Sequence, residues 1–259
     1  MINLAANLQA VKDQIAAAAA RARRSPDEIT LVAVVKNAST EQIEELILAG
    51  ATNLAESRTQ QLQAHVEQVQ LWRQGGAINP RGPCPANVTW HMIGHLQRNK
   101  VLQTLSLAHY IHSVDSLRLA EEINEIAARR EEPAQIMLQV NTTGEESKYG
   151  ISLRAAIHLV EQIETMANLS LVGLMTIARQ SENPEEARPA FAGLRELYEE
   201  IRFHNIAGPQ FCHLSMGMSG DYAVAIEEGA TMVRIGTALL GPAPAGEAVA
   251  RLPEGKTLQ

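Results

Sequence analysis

Short apolar runs alternate with amphipathic stretches along almost the whole chain. The apolar runs are rich in Val, Ile and Leu and have the length of buried strands. They cover residues 30–35, 51–55, 89–93, 109–113, 135–141, 169–175, 211–214 and 231–235. Apolar residues recur at helical spacing between them, near residues 40–49, 57–70, 97–105, 116–130, 152–167, 184–203 and 219–228. The pattern therefore predicts strands that alternate with helices.

Eight such strands, each separated from the next by a helix, are typical of a (β/α)8 TIM barrel, which takes roughly 250 residues. The chain has 259 residues. A further amphipathic helix is predicted over 3–24, ahead of the first strand and outside the ring. We expect a single α/β barrel domain over 1–259 with this extra N-terminal helix. A doubly wound open sheet is the alternative that the same alternation allows.

Two segments depart from the alternation. Residues 73–88 are rich in proline and glycine, which end helices, so we expect an inserted surface loop before the third strand. The stretch 242–259 follows Gly241 and reads as a flexible tail. Neither segment is long enough to form a second domain.

Composition and charge narrow the class of protein. The formal net charge is −7 and the sequence pI is about 5.6, which disfavours nucleic acid as a partner. Cys84 and Cys212 are the two cysteines, too few for a disulfide framework. No apolar run approaches the roughly 20 residues that span a bilayer, and Lys12 and Asp13 interrupt any signal-peptide pattern at the N-terminus. We expect a cytoplasmic protein that does not bind membranes.

Chemistry in such a barrel sits at the carboxyl ends of the strands. The first strand ends on Lys36, within TLVAVVKNAS, and an amine at the end of a buried strand is costly unless it has a role. Other residues with polar or small side chains follow the remaining strands: Glu56, Ser57, Arg58, His91, Ser113, Asp115, Asn141, Ser215, Arg234, Gly236 and Thr237. We expect all of these to converge on one face of the barrel.

The last two strand-end loops have the composition of an anion site. HLSMGMSGD and VRIGTALLG supply glycines and hydroxyl residues after strands seven and eight, the usual phosphate site of this fold. Two ordinary turns are the alternative interpretation. No GxxxxGK[ST] or GxGxxG motif occurs, so a nucleotide is not the favoured phosphate bearer.

A phosphate site facing a strand-end lysine suggests pyridoxal 5′-phosphate (PLP), whose aldehyde condenses with a lysine amine. Arg234, at the end of strand eight, is placed to face the pyridine nitrogen. A salt-bridged arginine at the barrel end is the alternative for this residue. A metal site is not expected, because His91 and His95 fall across a strand end and no third ligand follows.

Several sequence blocks together resemble one known family. They are AVVKN, LAESRTQQL, WHMIGHLQRNK, VNTTGEESKYGI, GLMTIA and HLSMGMSGDYAVAIEEGATMVRIGTALLG. Through these blocks the chain resembles the YggS/PROSC family of pyridoxal-phosphate-binding homeostasis proteins, from strand one to Gly241. The resemblance implies a single barrel like the N-terminal domain of alanine racemase, with PLP held as an internal aldimine.

The resemblance also implies roles for particular residues. It makes Lys36 the Schiff-base lysine and directs Arg234 to the pyridine nitrogen. It assigns the phosphate to the side chains and backbone of five residues: Ser215, Met216, Gly217, Gly236 and Thr237. Three further residues are expected near the cofactor: Asn53, His91 and Met175. The family's Gly-Glu-Asn-Arg segment reads Ala-Glu-Ser-Arg here, so Ser57 cannot supply a side-chain amide.

Binding PLP does not by itself define an enzyme. A racemase needs a base on each face of the substrate carbon, a lysine on one and a tyrosine or thiol on the other. In alanine racemase-like enzymes a C-terminal β-domain supplies the second base, and this chain ends about eighteen residues after Gly241. We expect a monomeric protein that binds and delivers PLP, with PLP-dependent apo-enzymes as candidate partners. The alternative is a minimal PLP-dependent amino-acid racemase or lyase.

Overall fold

Parallel strands form the centre of the molecule. The computed structural model describes residues 3–75, 82–85, 87–145 and 148–242. Its barrel strands are β1 (Thr30–Val34), β2 (Asn53–Glu56), β3 (Thr89–Met92), β4 (Tyr110–Val114), β5 (Ala134–Asn141), β6 (Leu169–Met175), β7 (His213–Ser215) and β8 (Met232–Ile235). They pair in the order β4-β3-β2-β1-β8-β7-β6-β5, and β4 also pairs with β5. That pairing closes the sheet, so the predicted (β/α)8 barrel is confirmed and the open-sheet alternative is excluded.

Helices surround the strands. They are α1 (Leu4–Arg21), α2 (Thr40–Leu48), α3 (Thr59–Gly75), α4 (Val101–Leu105), α5 (Leu117–Ala127), α6 (Leu153–Glu164), α7 (Arg188–Phe203), α8 (Tyr222–Glu227) and α9 (Thr237–Leu240). Short 3₁₀ turns precede β1, α4 and α7, and a two-residue strand, Ile151–Ser152, pairs with the end of β5.

The predicted N-terminal helix is present as α1, and its apolar stripe explains its position. Leu4, Leu8, Val11 and Ile15 recur on one face and are at most 4% exposed. This face packs against α2, α8 and α9, so α1 covers the barrel where the last strand meets the first. Burial of one such side chain stabilises a fold by about 1.5–3 kcal/mol, so the packing of this stripe holds α1 in place.

The predicted loop at 73–88 begins later than the sequence indicated. α3 continues through Arg73 to Gly75, because Val66, Val69 and Trp72 extend its buried stripe past residue 70, where the predicted helix ends. Residues 76–81 and 86 of this loop lie outside the described part of the chain, as does most of the predicted tail, 243–259. The short helix α9, which follows β8, was not predicted.

The interior of the barrel is partly polar. Small and medium apolar side chains fill much of it: Val32, Val34, Ala55, Met137, Val172, Met175 and Met232. Polar side chains from four strands share the interior with them: His91, His112, Ser215 and Arg234, all at most 3% exposed. Buried polar groups are costly without hydrogen bonds, so these four must satisfy one another or a ligand.

Gly173→Ala is expected to destabilise the barrel, because β6 and β7 approach closely at this residue. A Cβ here would lie 1.9 Å from the carbonyl oxygen of His213, its partner in the strand register. We expect urea titration to show a free energy of unfolding lower by roughly 1–3 kcal/mol, the usual cost of overpacking.

Gly193 in α7 is the matched control for this substitution. Its Cβ would find its nearest neighbour, the Cδ1 of Leu153, at an ordinary 3.8 Å. Gly193→Ala should therefore raise the free energy of unfolding, by about 0.5–1 kcal/mol through helix propensity. A Gly173→Ala protein as stable as the wild type would contradict the close strand approach.

Candidate functional site

A cavity of about 680 Å³ lies at the carboxyl ends of the strands. Its size is that of a small-molecule or cofactor site. Residues that line it include Lys36, Ser57, Ser219, Arg234, Gly236 and Thr237. These residues follow or end β1, β2, β7 and β8, so the sequence-predicted lysine, arginine and glycine–hydroxyl loop do share one cavity.

Lys36 is placed at the cavity by the way β1 ends. Val35 is fully buried, and its N–H donates to the Ala55 carbonyl oxygen at 3.0 Å, which holds the end of β1 against β2. The chain then turns towards Ser39, whose side chain accepts the Gln42 N–H and caps α2. Lys36 lies in this turn, where its side chain is exposed to solvent and to the cavity. A strand end followed by a capped helix thus presents the amine at the cavity without burying it.

Arg234 is a buried cation with neutral acceptors. Its side chain is 3% exposed, and its Nη1 donates to the Ser215 hydroxyl at 2.7 Å while Nη2 donates to the Thr176 carbonyl at 2.9 Å. Burial lowers the pKa of Arg234 to about 10, and the nearby Asp221 carboxylate opposes that shift. The guanidinium therefore remains charged at neutral pH. Its direct acceptors are a hydroxyl and a carbonyl, unlike those of the salt-bridged arginine considered above.

The loops after β7 and β8 meet at the start of α9. The Ser219 hydroxyl accepts the N–H groups of Gly236 and Ala238, each at 3.2 Å. Ser219, Gly236 and Thr237 all line the cavity, so hydroxyls and backbone N–H groups are gathered there. Because Ser219 already accepts these two N–H groups, it is the hydroxyls of Ser219 and Thr237 that suit an anion here.

The turn after β7 depends on one glycine. Gly217 has φ +90°, and a Cβ at this position would lie 2.6 Å from the Cβ of Ala225. Its carbonyl oxygen accepts the backbone N–H of Arg234 at 3.0 Å. The left-handed turn at Gly217 therefore ties the β7 loop to the strand that carries the buried cation.

Ser215 and Met216 lie inside the fold instead of lining the cavity. The Ser215 hydroxyl is buried between Arg234 and His112, at 2.7 and 2.9 Å. Met216 is fully buried, and its N–H donates to the Met232 carbonyl at 3.1 Å. Among the hydroxyls of this loop, the structure brings Ser219 to the cavity, whereas sequence reasoning had favoured Ser215.

None of the three residues expected near the cofactor is among the described residues that line the Lys36 cavity. Met175 is fully buried in the apolar interior. His91 is also fully buried, and its ring stacks on Tyr110 with centroids 4.9 Å apart. Asn53 begins β2 and lines a separate cavity of about 420 Å³ with Lys12 and other residues at the amino ends of the strands.

Two buried histidines in the interior are held neutral. Burial, together with the charges of His109 and His213, lowers the pKa of His91 to about 3. Burial also lowers the pKa of His112 well below its usual value, with His91 and Arg234 adding to the shift. Both imidazoles are therefore uncharged at neutral pH and can each donate one hydrogen bond and accept one.

Other strand-end residues make contacts away from this cavity. The Glu56 carboxylate pairs with His65 of α3 at 2.9 Å, the Ser113 hydroxyl donates to the Gly94 carbonyl, and Asp115 pairs with His95. Across the described ranges, His, Cys, Asp and Glu side chains form no group of three or more that could hold a metal ion. The HxxxH pair is divided, since His91 faces the barrel interior and His95 does not.

Sequence reasoning missed four residues of the site: His112, Thr176, Arg179 and Asp221. Arg179 and Asp221 line the cavity, and Asp221 accepts the Met218 N–H at 2.6 Å. Burial raises the pKa of the Asp221 carboxyl. A signal existed for His112, because it lies two positions from Tyr110 in β4 and therefore shares the side of that strand with Tyr110.

The fold and cavity define a class of protein: a (β/α)8 barrel with an amine, a buried guanidinium and loops of glycine and hydroxyl residues at its carboxyl end. Residues 6–244 match the family described as the N-terminal domain of alanine racemase. The chain belongs to this family and, within it, to the pyridoxal phosphate homeostasis proteins.

Two relatives show the extent of the similarity. The pyridoxal phosphate homeostasis protein of Aquifex aeolicus (strain VF5) is 37% identical over 241 residues, covering 93% of this chain and 98% of that protein. The pyridoxal phosphate homeostasis protein of Escherichia coli (strain K12) is 36% identical over 248 residues, covering 93% of this chain and 97% of its own length.

Solved structures agree with the fold. PipY of Synechococcus elongatus PCC7942 with PLP bound has a TM-score of 0.76 at 28% identity, with 92% of this chain and all of that chain covered. Alanine racemase of Clostridium difficile 630 has a TM-score of 0.68 at 16% identity, with 94% of this chain and 58% of that chain covered. The latter likeness shows a shared fold alone.

In the described part of the chain, no helix combines the length and the apolar character that crossing a bilayer requires.

The buried neutral state of His91 predicts a particular dependence of stability on pH. The pKa of histidine is about 6.5 in an unfolded chain, whereas the pKa of His91 in the folded protein is about 3. Between these two pH values the unfolded state binds a proton at this residue and the folded state does not. The free energy of unfolding should therefore fall as pH drops below about 6.5, by about 1.4 kcal/mol per pH unit from this group. In His91→Gln that contribution is absent.

Urea titrations of both proteins between pH 7 and pH 5 measure this difference. The wild type should lose stability more steeply than His91→Gln as the pH falls. His158→Gln is the control, because His158 is an exposed residue of α6. In this variant the free energy of unfolding should depend on pH as steeply as it does in the wild type. Parallel profiles for the wild type and His91→Gln would contradict a neutral buried imidazole.

Proposed function

We propose that this protein binds PLP in the Lys36 cavity and serves PLP homeostasis in the cell, without robust catalysis of its own. The observation that carries the proposal is that Lys36, Arg234 and the Ser219–Thr237 loop pair line one cavity. The relatives from Aquifex aeolicus and Escherichia coli bear the name pyridoxal phosphate homeostasis protein, and the similar PipY structure holds PLP. Both facts support the same ligand for this chain.

The residues at the cavity fit the three functional groups of PLP. The exposed amine of Lys36 is the group that an aldehyde attaches to. The hydroxyl groups of Ser219 and Thr237, in the loops that meet at Gly236, suit the phosphate. The Arg234 guanidinium suits the pyridine nitrogen, because a permanent donor pairs with an unprotonated ring nitrogen. When bound, PLP supplies an electron sink and a reactive carbonyl, and an arginine partner weakens that sink.

We propose a carrier over an enzyme because the described lining of the cavity offers no second base opposite Lys36. Of the tyrosines and cysteines, all of which lie in described parts of the chain, none lines the Lys36 cavity. Tyr110 faces the barrel interior, where burial raises its pKa, and the Tyr222 hydroxyl donates to Gln14 of α1. A racemase would need a tyrosine or thiol opposite the lysine. The family match to alanine racemase favours the competing function, a minimal PLP-dependent racemase or lyase.

An exposed lysine at an open cavity suits a carrier. Because Lys36 stands in solvent, PLP can reach and leave it without local unfolding. We propose a monomer in the cytoplasm, with PLP-dependent apo-enzymes receiving the cofactor. An amine that both PLP and an acceptor can approach is the feature that such transfer requires.

Covalent trapping tests the proposed lysine directly. Protein mixed with PLP is treated with borohydride, digested and analysed by peptide mass spectrometry. The phosphopyridoxyl group is expected on the peptide that contains Lys36, and Lys36→Ala should abolish both this label and the visible absorption of bound PLP.

Lys100→Ala is the matched control. Lys100 ends a short 3₁₀ turn after β3 and does not line the cavity, so its loss should leave the label unchanged. A label that persists at wild-type level in Lys36→Ala, or that is lost in Lys100→Ala, would contradict the proposed site.

A further inference from the structure

A continuous chain of hydrogen bonds runs through the barrel from Arg234 to Asn53. Arg234 Nη1 lies 2.7 Å from Ser215 Oγ, which lies 2.9 Å from His112 Nδ1. His112 Nε2 lies 2.9 Å from His91 Nδ1, and His91 Nε2 lies 3.0 Å from Asn53 Oδ1. The five side chains come from β8, β7, β4, β3 and β2 in that order. We refer to them as the Arg234–Asn53 chain.

The two ends fix the direction of every hydrogen bond in the Arg234–Asn53 chain. The Asn53 oxygen can only accept, so His91 carries its hydrogen on Nε2 and, as a neutral imidazole, accepts at Nδ1 from His112 Nε2. His112 Nδ1 then carries no hydrogen and accepts from the Ser215 hydroxyl. A guanidinium only donates, so Ser215 in turn accepts from Arg234. Asn53 Nδ2 donates to the Thr52 hydroxyl at 3.2 Å, in agreement with this orientation of the amide.

This order has an electrostatic consequence for the buried cation. Each group in the chain turns its hydrogen away from Arg234 and its lone pair towards it. The four dipoles therefore align with their negative ends facing the guanidinium, and aligned hydrogen bonds strengthen one another in a medium of low dielectric constant. Neutral side chains thereby compensate part of the cost of burying the charge.

We propose that Ser215, His112, His91 and Asn53 act as one positioning device for Arg234, keeping the guanidinium charged and fixed against the cofactor cavity. With Nη1 held by Ser215 and Nη2 by the Thr176 carbonyl, the guanidinium plane has a set orientation at the cavity that it lines. The role in cofactor binding rests on the proposed function. Asn53, which lines a different cavity at the opposite end of the strands, becomes a positioning residue for a site that it does not touch.

Nitrogen NMR of the protein without added cofactor tests the direction of the hydrogen bonds in the Arg234–Asn53 chain. In ¹⁵N-labelled wild type, His91 and His112 should both appear as neutral tautomers with the hydrogen on Nε2 from pH 8 down to pH 5. A hydrogen on Nδ1 of either ring, or a charged imidazole in this range, would overturn the proposal. This measurement on the wild type needs no variant to fold.

Exchange of the Arg234 side-chain hydrogens with solvent tests the positioning. Asn53→Leu removes the acceptor at the far end and Ser215→Ala removes the first link. Both should speed exchange of the Arg234 Nη hydrogens by about tenfold, as expected for loss of a buried hydrogen bond. Ser215→Thr keeps a hydroxyl and should restore slow exchange.

Thr104→Val is the matched control for these variants. It removes a buried hydroxyl pair of similar length, 3.0 Å between Thr59 and Thr104, that is not part of the Arg234–Asn53 chain. It should leave exchange at Arg234 unchanged. Exchange of the Arg234 hydrogens at the wild-type rate in Asn53→Leu would overturn the role of Asn53 in positioning Arg234. Exchange in Thr104→Val as fast as that in Asn53→Leu would overturn it too.

PLP titration separates this proposal from the proposed function. Asn53→Leu should weaken PLP binding by about tenfold, the effect of losing one buried hydrogen bond, whereas Thr104→Val should not. If the wild type itself fails to bind PLP, the proposed function is contradicted. The tautomer and exchange results then still show whether the Arg234–Asn53 chain positions Arg234. If the wild type and Asn53→Leu bind PLP equally well, the positioning role for the cofactor is overturned.

Discussion

The buried positive charge of Arg234 is the constraint on which the rest of the site depends. A guanidinium removed from water costs several kcal/mol unless its donors are satisfied. Here the acceptors are neutral: the Ser215 hydroxyl and the Thr176 carbonyl, with the backbone of β8 tied to Gly217. The charge is thus stabilised without a directly paired carboxylate, and it stays available at the cavity. This requirement accounts for the polar interior of the barrel. The Ser215 hydroxyl accepts a hydrogen bond from the guanidinium, and the imidazoles of His112 and His91 extend that series of hydrogen bonds.

The same arrangement supports the proposed role of the protein as a carrier of PLP. Arg234 offers a permanent hydrogen-bond donor, and a pyridine nitrogen that accepts from it remains unprotonated and is a weaker electron sink. Lys36 offers an exposed amine at the end of β1. On the described residues that line the cavity, no tyrosine or cysteine faces this amine to act as a second base. The described lining residues thus include groups that suit PLP, which supports the carrier function proposed above.

Sequence patterns predicted the fold well because strand and helix periodicity are local properties, and the barrel strands fall within about two residues of their predicted bounds. The sequence also predicts that Lys36, Arg234, Gly236 and Thr237 share one face, since strand ends meet at one face of a barrel, and all four line the same cavity. The choice between Ser215 and Ser219 depends on the left-handed turn at Gly217, which a spacing pattern does not reveal. His112 was missed because its partner Ser215 is 103 positions away, and only the closed barrel brings them together.

Chiral analysis of amino acids incubated with the PLP-loaded protein tests the central claim most directly. L- and D-alanine and a broad panel of other amino acids are offered to the loaded wild type, with Lys36→Ala as the reference for reaction by free PLP. A carrier that lacks a second base should leave both enantiomers unchanged and release no elimination products beyond the Lys36→Ala background. Robust racemisation or elimination that depends on Lys36 would contradict this account and establish the protein as an enzyme.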